Sequence, residues 1–282
     1  MHEPRFGIST HVFHESLLTR EHLVDVAGQG FESLELFATR SHFDYRNDAA
    51  IDNLAGWLDD TRLTLHAVHA PVAEAMRQGQ WVCPFSNASG TESRRREAVE
   101  ETRAALALAR RIPFQYLVLH LGVVAAGASP EDNQPAAARR SLEDIVALAA
   151  DVNVRVAVEV IPNRLSTPEA LVHLIEEELD GVDVGICLDY GHAHILGDLG
   201  EAIETVGGHL WTTHLHDNHG SRDEHLVPFA GQIDWSAAMM STQKIGYDGV
   251  LMFELDGRSG PLPVLERADR ARTRLDDLFI TF

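Results

Sequence analysis

The chain has 282 residues, 45% of them hydrophobic and 23% charged, ordinary values for a globular protein. That length exceeds a typical single domain but fits one α/β barrel, for which about 250 residues is usual. With 43 acidic against 23 basic residues the formal net charge is −20, a field that repels nucleic acid and anionic membrane surfaces.

No apolar run reaches the length of about 18 residues that a membrane span needs, so none is expected. The stretch Met1-His2-Glu3-Pro4-Arg5 lacks a basic region followed by an apolar core, and no signal peptide is expected either. Cys83 and Cys187 are the only cysteines, one in an expected loop and one in an expected buried strand. They suggest no disulfide framework, which makes the cytoplasm the expected compartment. Arg94-Arg95-Arg96 is the nearest thing to a basic patch. Glu92, Glu97, Glu100 and Glu101 surround it, so it reads as a solvated helix face.

In chain order, short apolar runs alternate with helical patterns. The runs are Phe6 to Ser9, Ser33 to Phe37, Leu63 to His69, Tyr116 to His120, Val154 to Glu159, Val184 to Asp189, Leu210 to His216 and Gly249 to Glu254. Their nearly continuous apolar character suits parallel strands buried on both faces. Between them, helices are expected from Leu17 to Gly28, Arg94 to Arg110, Ser141 to Ala150, Thr167 to Leu179 and Leu262 to Leu278. Eight β-then-α units predict one parallel (β/α)₈ barrel, a TIM barrel, as a single domain over residues 1–282. A doubly wound open sheet is the alternative, weakened because no Gly-x-Gly-x-x-Gly follows the first run. Two long loops, Glu74 to Thr91 and Gly122 to Pro135, have the length of substrate lids.

Active sites of such barrels form at the C-terminal ends of the strands. Here those ends read His69, His120, Glu159, Asp189, His214 or His216, and Glu254. Histidine, Asp and Glu are the N and O donors that Zn²⁺ and Mn²⁺ accept. Glu159 within Val156 to Ile161, and Glu254 after Val250 to Phe253, are costly to bury unless paired, protonated or metal-bound. In Asp189-Tyr190-Gly191-His192 a tight turn at Gly191 is expected to aim Asp189 and His192 at one point. His194 reads as a supporting partner behind the site or, more simply, as an exposed loop histidine. The segment from Thr213 to His225 holds four histidines and three carboxylates in thirteen residues. Alternation along an extended chain puts Asp223 and His225 on one side, and likewise His214 and His216. It does not choose between those last two.

The motifs Leu65 to Pro71, Val118-Leu119-His120, Val158 to Asn163, Leu188 to Ala193, His214-Leu215-His216-Asp217, Asp223-Glu224-His225, Gly231 to Trp235 and Phe253-Glu254 resemble, in order and spacing, the xylose-isomerase-like barrel superfamily. That group contains sugar and sugar-phosphate isomerases and epimerases and the type IV apurinic endonucleases. The resemblance implies one catalytic divalent metal, Mn²⁺ or Zn²⁺, held by Glu159, Asp189, His214 and Glu254. Glu159 and Glu254 would also act as base and acid on a small sugar, sugar phosphate or keto-polyol. The endonuclease branch holds three zinc ions on nine ligands, and the matching positions are His69, His120, Glu159, Asp189, His192, His214, Asp223, His225 and Glu254. His192, His216 and Arg222 are candidates for holding substrate oxygens, and Arg164 or Arg258 for an anionic group. A dehydratase or lyase acting on a keto-sugar would begin with the same proton abstraction. The sequence departs from the ketose epimerases at Gly220, where they carry Arg, and at Pro228-Phe229-Ala230-Gly231. The expected partner is a small sugar-like molecule, with no nucleic acid and no membrane; homo-oligomerisation is open.

Overall fold

The computed structural model describes residues 5–77, 80–179 and 181–280. Met1 to Pro4, on which the signal-peptide expectation rests, lie outside them. Eight parallel strands close into a barrel: β1 (Arg5–Ser9), β2 (Ser33–Phe37), β3 (Thr64–His69), then, after a two-stranded hairpin of β4 (Ala73–Arg77) and β5 (Gln80–Pro84), β6 (Tyr116–Leu119), β7 (Arg155–Glu159), β8 (Val184–Asp189), β9 (Leu210–Leu215) and β10 (Val250–Phe253). The eight barrel strands are neighbours in chain order. The ring closes where β1 pairs with β10, from Arg5 opposite Val250 to Ile8 opposite Phe253. That pairing rules out the open doubly wound sheet.

The helices are α1 (Arg20–Gly28), α2 (Asp48–Thr61), α3 (Glu92–Leu106), α4 (Pro135–Ala150), α5 (Pro168–His173), α6 (Tyr190–Leu196), α7 (Leu199–Val206), α8 (Trp235–Lys244) and α9 (Pro261–Ile280). Several begin at side-chain caps that satisfy free amides of the first turn. Asn47 accepts from the amides of Ala49 and Ala50, Asp198 from Glu201, and Asp234 from Ala237. The expected helix at 167–179 is an α-helical turn followed by a π-helical stretch, Leu174–Glu178. The expected helix at Ser141 starts earlier, because Pro135 at its first position has the φ a helix requires and no amide to leave unpaired.

Two expectations need correcting. The long loop from Glu74 contains the β4–β5 hairpin, in which Ala73 faces Pro84 and Met76 faces Trp81. Alternating small and large residues there gave little periodic signal, and the pairing is local to the hairpin. The Arg94-Arg95-Arg96 face is solvated only in part. Arg95 is buried, donating to Glu92 on its own helix and to Ser141 and Asp144 of α4.

The main core lies between sheet and helices, with Leu23, Leu54, Leu117, Leu142, Ile186 and Leu265 fully enclosed. A second, small cluster of Ala67, Tyr116, Val118, Ala157 and Cys187, with Trp211 against it, plugs the barrel. Ala67, Ala157 and Cys187 lie two residues before His69, Glu159 and Asp189, so the alternation of strand side chains puts each pair on the same inward face. The plug therefore forms the floor on which the strand-end polar residues stand. Among the described residues no helix is long and apolar enough to cross a membrane.

Candidate metal centre

The strand ends bring the expected residues together in three adjoining groups, each with one donor atom per residue within 4.8 Å of the others: His69, His120 and Glu159; Glu159, Asp189, His214 and Glu254; and His192, His216, Asp223 and His225. Glu159 belongs to two of them. Its Oε2 lies 3.1 Å from His69 Nε2 and 3.0 Å from His120 Nε2, and its Oε1 lies 3.1 Å from His214 Nδ1. Glu159, Asp189 and His214 are wholly enclosed and Glu254 nearly so.

Backbone carbonyls fix how the rings present themselves. His69 Nδ1 is 2.9 Å from the Ala70 carbonyl, His192 Nδ1 is 3.1 Å from that of Val160, and His225 Nδ1 is 3.0 Å from that of Glu254. A carbonyl oxygen only accepts, so each Nδ1 carries the hydrogen and the Nε2 of a neutral ring offers a lone pair. Each of those Nε2 atoms faces a carboxylate oxygen: His69 that of Glu159 at 3.1 Å, His192 and His225 that of Asp223 at 3.2 Å. Two lone pairs at such distances repel unless a proton or a cation lies between them. Among the described residues Asp189 Oδ2 is also buried without a hydrogen-bond partner, and the buried His216 Nε2 faces Asp189 Oδ1 at 3.0 Å. This donor set fits a divalent cation, with the second nitrogen of each ring oriented as metal-bound histidines require.

The charges are strongly coupled. Burial alone would raise the Glu159 carboxyl, but His214 and His120 beside it hold it well below the ordinary range. Partial burial opposes ionisation of Asp223, whose carboxyl is about a third exposed, and His225 and His192 overcome it. Conversely burial would lower His225, yet Asp223 lifts it to about 10. His192 is held well above its ordinary value by Asp189 and Asp223 against burial. The carboxylates thus favour protonated rings at His192 and His225 wherever no cation stands between them.

Residues 23–278 match the model of the xylose isomerase-like TIM barrel family. The chain belongs to that family. It is 29% identical over 267 residues to an uncharacterised protein of Methanocaldococcus jannaschii, covering 89% of this chain and 83% of that one. It is 29% identical over 228 residues to an uncharacterised protein of Sinorhizobium fredii, covering 73% and 71%. Among solved structures of the family's fold, a D-tagatose 3-epimerase-like protein superposes with a TM-score of 0.78 at 26% identity, covering 98% of this chain and 97% of that one. The IolI protein with a bound zinc atom gives 0.75 at 16%, covering 99% and 100%. A D-psicose 3-epimerase in the presence of D-fructose gives 0.75 at 18%, covering 98% and 99%.

Within this family framework several local expectations change. His214 and His216 do point the same way, but into different groups: His214 toward Glu159, and His216 Nε2 toward Asp189 Oδ1 at 3.0 Å. Asp189 and His192 do converge, through a helix start and not through a turn at Gly191. Asp189 caps α6 by accepting from the His192 amide at 2.6 Å. Gly191 is required for space, since a Cβ there would lie 1.9 Å from the His216 ring. His225 has a left-handed backbone (φ 46), so Asp223 and His225 meet across a bend and not along an extended segment. The bend is held by reciprocal amide bonds between Asp217 and Leu226. His194 is half-buried on α6 with its Nε2 enclosed, not an exposed loop residue. Arg222 is exposed and absent from the cavity wall, and Arg164 is tied to the Asn133 carbonyl.

Four residues went unnoticed in the sequence. Glu35, wholly buried in β2, accepts from His214 Nε2 at 3.0 Å. A carboxylate inside Ser33 to Phe37 was the same signal that singled out Glu159. His11 donates Nδ1–H to the Leu255 carbonyl at 3.0 Å and lies 4.7 Å from the His225 ring. Burial first, then His225 and His14, keep it well below its ordinary value and therefore neutral. His14 and Trp81 also line the cavity above the groups.

Proposed function

We propose that this protein is a divalent-metal-dependent isomerase or epimerase of a small sugar or sugar derivative. The observation that carries the reading is the buried set of three carboxylates and one imidazole, Glu159, Asp189, Glu254 and His214, drawn from four strand ends to one point, with Glu254 reaching the cavity wall. The sugar epimerases that share its fold support the choice of substrate class. These four residues would hold the metal, and Mn²⁺ or Zn²⁺ suits such mixed N and O donors. When bound, the cation supplies a Lewis acid that stabilises negative charge developing on substrate oxygens.

The protein's own residues would do the rest. Glu159 and Glu254 take and return a proton at the carbon beside the substrate carbonyl. Glu35 holds the His214 ring by its Nε2–H, leaving Nδ1 to face Glu159 and Glu254. His11, neutral and with its Nε2 free to accept, is suited to a substrate hydroxyl. The apolar plug beneath prevents solvent from reaching the carboxylates from below.

The test is deuterium uptake from D₂O into ketoses and keto-sugars by protein loaded with Mn²⁺ or Zn²⁺, alongside elemental analysis. Labelling of one carbon next to a carbonyl supports the reading. Failure to retain any of the two metals would sink it.

The three adjoining donor groups favour a second reading, a trinuclear phosphodiesterase of the apurinic-endonuclease kind. The net charge of −20 opposes it, because gripping a DNA backbone requires Lys and Arg. Metal-dependent nicking of abasic duplex DNA at ordinary enzymatic rates would reverse the order of the two.

A further inference from the structure

The cavity above the donor groups has a volume of about 450 Å³, within the range of sites for drug-sized ligands, roughly 300 to 1,000 Å³. Of the donor residues, His69, His120, His192, Asp223, His225 and Glu254 line it. Part of its wall is aromatic. Met76 and Trp81 face each other across the β4–β5 hairpin, and both line the cavity. The Trp81 ring lies 5.7 Å from Phe37 and 5.9 Å from His14, tilted against both. Trp81 remains 39% exposed, a large aromatic face directed into a polar protein's cavity. The hairpin is anchored in this position by the Met76 amide, which donates to Ser41 Oγ at 3.1 Å.

The charges of the wall are already partnered: Asp132 with Arg94, Glu224 with His219, and Asp223 with His192 and His225. Among the described lining residues, Asp132, Asp223, Glu224, Glu254 and Asp256 carry carboxylates, and Arg258 carries the single guanidinium. That guanidinium is already engaged, donating to Asp256 at 2.7 and 2.5 Å. A phosphate at the far end of a substrate needs an unengaged Arg or Lys, or a helix N-terminus, and this wall offers an aromatic face instead.

Resting on the isomerase reading for its donor residues, we propose that the cavity takes an uncharged sugar derivative bearing a second ring. The second ring lies on Trp81 and Phe37, while the reacting sugar sits over Glu159 and Glu254. Aromatic faces attract flat or C–H-rich rings, and the aromatic wall selects by that contact, while a phosphate ester finds no uncommitted guanidinium among the described lining residues.

Binding to the Mn²⁺-loaded full-length protein is measured by calorimetry for methyl β-glucoside, phenyl β-glucoside and methyl β-glucoside 6-phosphate. None of the three contains a carbonyl, so affinity is read apart from proton transfer. The phenyl compound should bind about tenfold more tightly than the methyl compound, the worth of one good ring contact, and the phosphate no more tightly than the methyl. Trp81→Ala, a change at a half-exposed hairpin position checked by circular dichroism, should bring the phenyl compound down to the methyl level. Met76→Ala should lower it less. Tightest binding by the phosphate, equal binding by phenyl and methyl, an intact phenyl advantage in Trp81→Ala, or no binding of any of the three would overturn the proposal. Deuterium exchange on keto-sugars separates the two readings. A phenyl preference without exchange leaves the cavity assignment standing and removes the isomerase. Exchange that is fastest on phosphate esters does the reverse.

Discussion

Strand β7 ends on Glu159 and, two residues earlier, presents Ala157 to the same interior; β8 does so with Asp189 and Cys187, and β3 with His69 and Ala67. One end of the barrel is thus crowded with buried carboxylates and imidazoles, and the layer below it is apolar. At the lower mouth Trp211 closes against Tyr116, and the Arg155 guanidinium covers the Trp211 ring at 3.4 Å. The difference teaches where each layer's free energy goes. The lower layer stabilises the fold by burial and close packing. The upper layer gathers ionised groups that favour the folded state only when a proton or a cation balances them.

Changes at the upper end should therefore damage chemistry most. Glu159→Gln or Glu254→Gln should each slow deuterium exchange about 10³-fold, the usual worth of a positioned acid or base. Full exchange in either variant, followed by NMR of the substrate, would show that the two-carboxylate mechanism is wrong.

Glu35→Gln sharpens the contrast from one step further out. The amide keeps the shape but no longer fixes which nitrogen of His214 carries the hydrogen. Metal affinity should fall about 10- to 100-fold, read by competition with a metallochromic chelator, while the apo-protein keeps its melting temperature. A drop in apo stability with unchanged metal affinity would make Glu35 structural.

Gly185→Ala addresses the lower end. A Cβ at Gly185 would lie 1.9 Å from the Trp211 ring, and such overpacking costs about 1–3 kcal/mol. The midpoint of urea unfolding should fall, while the increment that added Mn²⁺ or Zn²⁺ contributes to stability stays that of the unaltered protein. Loss of that increment would mean that the two layers are coupled.

The last expected effect, confined to acid pH, concerns what makes the upper histidines special. His42 is as buried as His214, but its Nδ1 donates to the Ser16 carbonyl and no carboxylate among the described residues pairs with it. Burial dominates and lowers it to about 4. Because the folded value lies below the unfolded one, this neutral histidine favours the folded state above pH about 6.5. That contribution is lost as the pH falls toward 4, up to on the order of 3 kcal/mol. His42→Phe should flatten the fall of the urea midpoint between pH 6.5 and 4, and an unchanged slope would contradict the assignment.

The eight strands, their order and their polar ends were legible because parallel barrel strands are buried on both faces and so read as unbroken apolar runs. Glu159 and Glu254 stood out for the same reason: an ionisable residue in such a run needs a partner. Glu35 sent the same signal from Ser33 to Phe37 and passed unnoticed, since no motif drew attention to that strand. The split of His214 and His216 between two donor groups was beyond the sequence, because alternation assigns a face and not a neighbour. Gly191 shows the same limit. Its place beside Asp189 was visible, but whether it served a backbone angle or made room for the His216 ring depended on a strand that arrives 20-odd residues later. The β4–β5 hairpin and the engagement of Arg258 by Asp256 were likewise decided in three dimensions, where distance through space and not along the chain fixes which charges cancel. The sequence by itself thus determined the barrel and the chemical type of its upper end, since periodicity and burial act locally. Only the tertiary structure decided which ligand meets which, and what the cavity above them can admit.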